Sequence, residues 1–200
     1  VHHPYHRRIK HEIASALKHL ESRLEPVSAV GASGRLDPRG LCRDSRDPQV
    51  LDPHLATLRL KDRKGRHVAT IVNWSCHPEV LGRDNRLITA DFPGPLCARV
   101  EEKTGGACLF LNGMIGGLMT TDVTAENFDE MARVGRAVAD AALALKPHPG
   151  PSRPLAFAGE RVLVPVENSR YRLFLPALSF GHRLLDAQGR ELPAWKKWFL

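Results

Sequence analysis

Apolar residues recur at helical spacing over 4–24, where Ile9, Ile13, Leu17, Leu20 and Leu24 share one face. Pro4 suits the first turn of that helix, and Pro26 stops it. Residues 27–32 predict a short strand, and 33–53, rich in Gly, Pro, Asp and Arg, predict a long loop. Residues 55–60 and 67–74 predict two strands joined by the turn Asp62-Arg63-Lys64-Gly65. The second has a nearly continuous apolar middle, the pattern of a strand buried on both faces. A loop over 75–86 follows, and then a helix over 92–103 with Asp91 as its cap and Pro93 in its first turn. Residues 107–111 predict another buried strand, which empties into a glycine-rich loop. Thr124 is positioned to cap a helix over 125–146, with Phe128, Met131, Val134, Val138 and Leu145 facing inward.

Strands alternating with helices predict an α/β fold, a mixed sheet flanked by helices. Residues 1–146 form its first part. The proline-rich stretch 147–154 is a connection. Residues 155–200, with a strand over 155–166 and a helix over 170–185, continue the same domain. No internal repeat is present. The chain opens directly into a helical pattern at Val1 and stops at Leu200 within an apolar-basic run, so the expectation is a piece of a longer protein.

Composition narrows the function. The 42% hydrophobic share supplies a core, which argues against a disordered chain. No apolar run reaches the roughly 18 residues of a membrane span. The net charge of +7 is uneven, with 7 basic and 10 acidic residues in 71–150 but 22 and 12 elsewhere. The basic residues are mostly arginines scattered among Asp and Pro, rather than a stripe interleaved with aromatics. No nucleic-acid partner is therefore expected. Four cysteines without a C-x-x-C pair read as buried thiols rather than a disulfide scaffold. His2-His3-x-x-His6 has no Cys, Asp or Glu ligand at a set spacing and is set aside as a metal tract.

Three stretches carry candidate chemistry. In Asn73-Trp74-Ser75-Cys76-His77-Pro78-Glu79, His77 lies just past a strand tip, where active-site residues collect. Pro78 keeps it out of the helical region. Such an imidazole suits a metal ligand or a general base, or equally a loop histidine with a structural hydrogen bond. In Asn112-Gly113-Met114-Ile115-Gly116-Gly117, a strand runs into a loop whose glycines let backbone N–H groups approach a substrate. The spacing is that of neither a dinucleotide fingerprint nor a P-loop, and a tight turn needing positive φ explains it as well. In Arg43-Asp44-Ser45-Arg46-Asp47-Pro48, an ordered loop could aim one guanidinium at a cleft, or form only a surface ion-pair cluster. No G-x-S-x-G elbow is present.

Together these stretches resemble the neutral/alkaline non-lysosomal ceramidase family over about residues 5–145. Arg46-Asp47-Pro48, Asn73-Trp74-Ser75-Cys76-His77-Pro78, Leu87-Ile88-Thr89-Ala90-Asp91-Phe92-Pro93-Gly94 and Leu111-Asn112-Gly113 with Gly116-Gly117 follow the family's motifs in order. The resemblance implies a zinc ion held by two His, a Glu and a Tyr, activating a water that attacks an amide. It makes His77 one of the two zinc histidines and places Arg46 near the reacting carbonyl, with Arg43 competing for that match. Asn112, Gly113, Gly116 and Gly117 would line the substrate cleft. The family's His-x-His would precede Val1, and its Glu and Tyr would follow Leu200, so Zn2+ has one ligand here and the isolated chain is expected to be inactive.

Trp74–His77 is one residue shorter than in ceramidases proper, Gly116-Gly117 replaces Gly-Asp, and Met119 replaces a serine. The match is therefore to a bacterial branch of the family, with a small-molecule amide or lipid-like substrate rather than ceramide in particular; the changes at Gly117 and Met119 also fit the alternative of a non-catalytic ligand- or partner-binding domain on the same scaffold. The resemblance further implies a secreted or periplasmic protein and a peripheral membrane contact of the full-length polypeptide.

Overall fold

A computed structural model describes residues 4–116, 119–148, 158–160 and 190. The chain separates into two compact units, Val1–Pro151 and Ser152–Leu200. The expected strand over 155–166 and helix over 170–185 lie outside the described residues, apart from 158–160. The elements are α1 (Pro4–Glu21), β1 (Ser28–Arg35), β2 (Cys42–Asp44), β3 (His54–Lys61), β4 (His67–Trp74), α2 (Pro93–Thr104), β5 (Ala107–Asn112), β6 (Met119–Thr121) and α3 (Phe128–Ala144).

The main sheet has the order β1-β3-β4-β5, with β1 and β4 antiparallel to β3 and β5 parallel to β4. The β3–β4 turn forms because Asp62 Oδ1 accepts the N–H groups of Lys64 and Arg66, while Gly65 supplies the positive φ of 78°. The parallel β4–β5 pair requires a crossover, and α2 provides it. Gly105, at φ 73°, ends α2 in the left-handed conformation. A second, two-stranded sheet pairs β2 with β6 antiparallel. Both of its strands escape the sequence reading, and β1 runs three residues further than expected, into the predicted loop.

The core lies on one face of the main sheet. Leu55, Val72, Trp74 and Cys108 point into it from the strands, Leu96 and Val100 from α2, and Val134, Val138, Ala139 and Ala142 from α3. Gly135 permits the α2–α3 approach: a Cβ there would lie 2.5 Å from the Phe92 carbonyl oxygen. α3 starts later than expected, because Asn127 rather than Thr124 accepts the Glu130 N–H as its cap. Phe128, expected in the core, is about half exposed at the first helical position.

One expectation fails at the sheet. β4 is not buried on both faces: the sheet face carrying Leu58, Ile71, Leu109 and Leu111 is open among the described residues, with Leu109 55% exposed. α1 forms as the periodicity predicts but buries none of its residues. Among the described residues, Ile9, Ile13, Leu17 and Leu20 of its apolar stripe are 38–63% exposed.

Candidate functional site

Because β4 and β5 are parallel, their C-terminal ends, Trp74 and Asn112, lie side by side. The two following loops are bonded to each other. Gly113 N–H donates to the Trp74 carbonyl at 2.9 Å, Cys76 N–H to Asn112 Oδ1 at 3.3 Å and Met114 N–H to Ser75 Oγ at 3.1 Å. Gly113 is required here by close approach, since a Cβ would fall 2.2 Å from Ser75 Oγ. Its φ is not positive, so the tight-turn explanation does not apply to it. Gly116 is exposed, and Gly117 lies outside the described residues.

His77 is held by its backbone and its ring. Its N–H donates to the Met119 carbonyl at 3.1 Å, which joins the loop to β6. Its Nε2 lies 3.0 Å from the Ile115 carbonyl oxygen. A carbonyl only accepts, so Nε2 carries the hydrogen, and in the neutral ring Nδ1 keeps its lone pair. Such a bond to one ring nitrogen is what orients the other toward a ligand.

Arg46 follows β2 and is fixed by its own loop. Its Nε and Nη2 donate to the Asp44 carboxylate at 2.7–3.0 Å, and Asp44 also accepts the Arg46 and Val50 N–H groups. Asp44 is buried, whereas the Arg46 side chain stays 44% exposed. The loop is thus built around a buried carboxylate. No hydrogen bond joins Arg46 to His77 or to 112–116 among the described residues. Arg43 instead lines a cavity of about 290 Å3 with Glu79, Thr121, Thr124 and Glu126.

The Arg46 guanidinium, above all, holds the Asp44 carboxyl well below the usual carboxylate range. A depressed pKa stabilises the fold above the unfolded-state value of about 3.9, and that contribution disappears as pH falls through the lower folded value. Asp44→Asn should therefore lower the urea midpoint near neutral pH, and its deficit against the parent should shrink toward about pH 2. A pH-independent deficit would assign the effect to packing alone.

Ser75 brings in residues that the sequence did not single out. Its Oγ–H donates to Asp52 Oδ2 at 3.0 Å, and His54 Nδ1 lies 3.3 Å from Asp52 Oδ1. This order places the carboxylate between hydroxyl and imidazole, so His54 does not receive the serine proton as a triad requires. The backbone N–H of His54 is the main cause lowering the Asp52 carboxyl. Cys76 is buried, and the neighbouring Cys42 thiol, then burial, pushes its thiol up, away from the reactive thiolate. Ser75 and Asp52 are 23 positions apart, and no local pattern announces the pair.

The fold can be compared with solved structures. It superposes on neutral ceramidase from Pseudomonas aeruginosa with a TM-score of 0.60 and 18% identity, over 70% of this chain and 26% of that one. The fold is ceramidase-like. A ceramidase complexed with C2 matches with a TM-score of 0.55 and 19% identity, over 64% of this chain and 23% of that one. The chain thus spans about a quarter of the length of these ceramidases. No family model and no curated protein matches it.

The metal expectation can be tested on the donor atoms. Among the described residues, no three His, Cys, Asp or Glu side chains come together to hold a metal ion. A catalytic zinc takes about three protein ligands. The described residues bring no such set together.

Proposed function

We propose that this chain is part of a hydrolase that cleaves amide C–N bonds on a ceramidase-like fold. His77 contributes one ligand to a zinc ion whose remaining ligands lie outside the described residues. Arg46 contacts the substrate carbonyl, and Asn112, Gly113, Gly116 and Gly117 line the cleft. The observation that carries this reading is the His77 ring: Nε2–H is tied to Ile115, and Nδ1 is left as a donor at the ends of two parallel strands. Ligand sites in sheets of this kind lie beyond the carboxyl ends of the strands. Zinc, when bound, supplies a Lewis acid to such chemistry.

The chain's own residues set the positions. Asn112 spends Oδ1 on the Cys76 N–H, which joins the two loops, and keeps its amide hydrogens for other acceptors. Asp44 restrains Arg46 while leaving part of the guanidinium accessible. A guanidinium held this way loses little further freedom when it meets a developing oxyanion.

Equilibrium dialysis against zinc tests the assignment. The 200-residue chain should hold no stoichiometric tight zinc. The complete polypeptide should hold one, and His77→Ala should remove both the metal and the hydrolysis of N-acyl amides. A tight site on the 200-residue chain that His77→Ala abolishes would overturn the divided site. Full zinc and activity in the complete His77→Ala protein would overturn the role of His77.

A further inference from the structure

We propose that Cys97 and Cys108 are a disulfide-forming pair, a redox-controlled staple between α2 and β5. Cys97 sits on the crossover helix and Cys108 on the strand to which that helix leads. Two contacts fix how the helix lies on the strand. At its start, the Phe92 ring meets Phe110 near edge-to-face, with centroids 5.5 Å apart. Near its end, Glu101 Oε1 accepts the Cys108 N–H at 2.9 Å. Cys97 falls between these contacts, one turn before Glu101 and on the same helix face. Cys108 and Phe110 are two apart on the strand, so their side chains leave the same side of the sheet, toward α2. The Cys97 thiol therefore adjoins the Cys108 thiol and the Phe110 N–H. Both cysteines are free thiols here.

Exposure selects this pair from the four cysteines. Cys42 and Cys76 also adjoin each other, but both are buried, whereas Cys97 is only partly so. An oxidant in solution reaches Cys97 first, and Cys108 is in place to finish the reaction. The Cys108 thiol beside it, above all, lowers the Cys97 thiol toward the thiolate, which makes Cys97 the attacking sulfur. The oxidant is a small disulfide such as oxidised glutathione. Cys97 attacks one of its sulfurs and releases the first glutathione thiol. Cys108 then attacks the mixed disulfide at Cys97 and releases the second. One S–S bond forms in the protein, one breaks in the oxidant, and the two cysteine protons end on the two glutathione thiols. The closed loop holds about a dozen residues, which the chain-entropy account converts to a gain in the folding constant on the order of a hundredfold. By linkage, the folded chain should favour the disulfide over the unfolded chain by the same factor.

The inference does not depend on the chemistry at the strand ends. Redox titration of the complete polypeptide tests it, in reduced and oxidised glutathione mixtures, once in native buffer and once in concentrated urea. Circular dichroism marks the folded arm. Remaining thiols are blocked with N-ethylmaleimide, and the unreduced protein is cut with trypsin and weighed. Trypsin places the four cysteines on separate peptides, with Cys97 in 87–99 and Cys108 in 104–133, so each pairing has its own mass. The 87–99 and 104–133 peptides should be recovered joined, with an oxidation constant on the order of a hundredfold larger in native buffer than in urea. The oxidised protein should also show a higher urea midpoint than the reduced one. Cys97→Ser should remove both the joined peptides and that difference, and leave Cys108 carrying the maleimide. An oxidation constant no larger in native buffer than in urea would overturn the proposal, because the folded geometry would then not favour the bond. Recovery of 87–99 joined mainly to a peptide bearing another cysteine would overturn it as well.

Discussion

Phe92→Ala should cost about 3–5 kcal/mol, the range for deleting a fully buried aromatic side chain. Phe92 is completely buried at the start of α2 and stands between two other rings. Its centroid is 5.7 Å from that of Trp74 and 5.5 Å from that of Phe110, both near edge-to-face. This geometry adds to area burial, by about 0.5–1.5 kcal/mol for an aromatic pair. The cavity would open where β4, β5 and α2 converge, and α3 could not collapse freely into it. Gly135 already sets α3 against the backbone of residues 92–96, with a would-be Cβ 2.9 Å from Leu96 N. Urea denaturation followed by far-ultraviolet circular dichroism is the measurement. Phe92→Leu, which keeps much of the volume, should lose clearly less. Equal losses for the two variants would mean that ring stacking, not cavity volume, dominates at this position.

The elements that were legible in the sequence are those with a repeating pattern long enough to show a period. α1, α3 and the strands β3, β4 and β5 fall where the apolar spacing predicts, within a few residues at their ends. β2 and β6 have three residues each, too few to show any period, and their pairing joins Cys42 to Thr121 across a long stretch of chain. Periodicity also states that a face seeks burial without saying what buries it. The Ile71–Leu109 sheet face reads as buried in sequence and is open among the described residues, and the Ile9–Leu24 stripe, read only as one apolar face, is exposed among them. Pro78 and the end of an apolar strand single out His77 in the sequence as a candidate. The bond from its ring to Ile115 is 38 positions away and could not be read locally. The alternating Arg43-Asp44-Ser45-Arg46 run suggested an ordered loop, but which arginine pairs depends on Asp44 turning inward under Val50.

Asp91 shows how a residue read as a helix cap serves the site loop instead. Its carboxylate does not cap the first turn of α2 in the ordinary way. It accepts N–H bonds from Val80 at 3.1 Å, Leu81 at 3.1 Å and Phe92 at 2.7 Å. Val80 and Leu81 follow directly on His77-Pro78-Glu79, and both are buried. Asp91 itself is buried, with φ 56°, a conformation that Asp and Asn tolerate better than most residues. Asp91→Ala would leave three buried donors without acceptors, at about 1–3 kcal/mol each, and would add backbone strain. The expected loss is roughly 3–5 kcal/mol after partial relaxation. The order of variants separates the two causes. Asp91→Asn keeps one acceptor oxygen and the left-handed tolerance, so it should lose least. Asp91→Gly removes the acceptor but relaxes the backbone, so it should fall between Asn and Ala. Amide hydrogen exchange at Val80 and Leu81 should accelerate in the Gly and Ala variants, since those two N–H groups lose their acceptor. If Asp91→Gly proved as stable as the parent, the backbone conformation rather than the carboxylate would be what holds the loop behind His77.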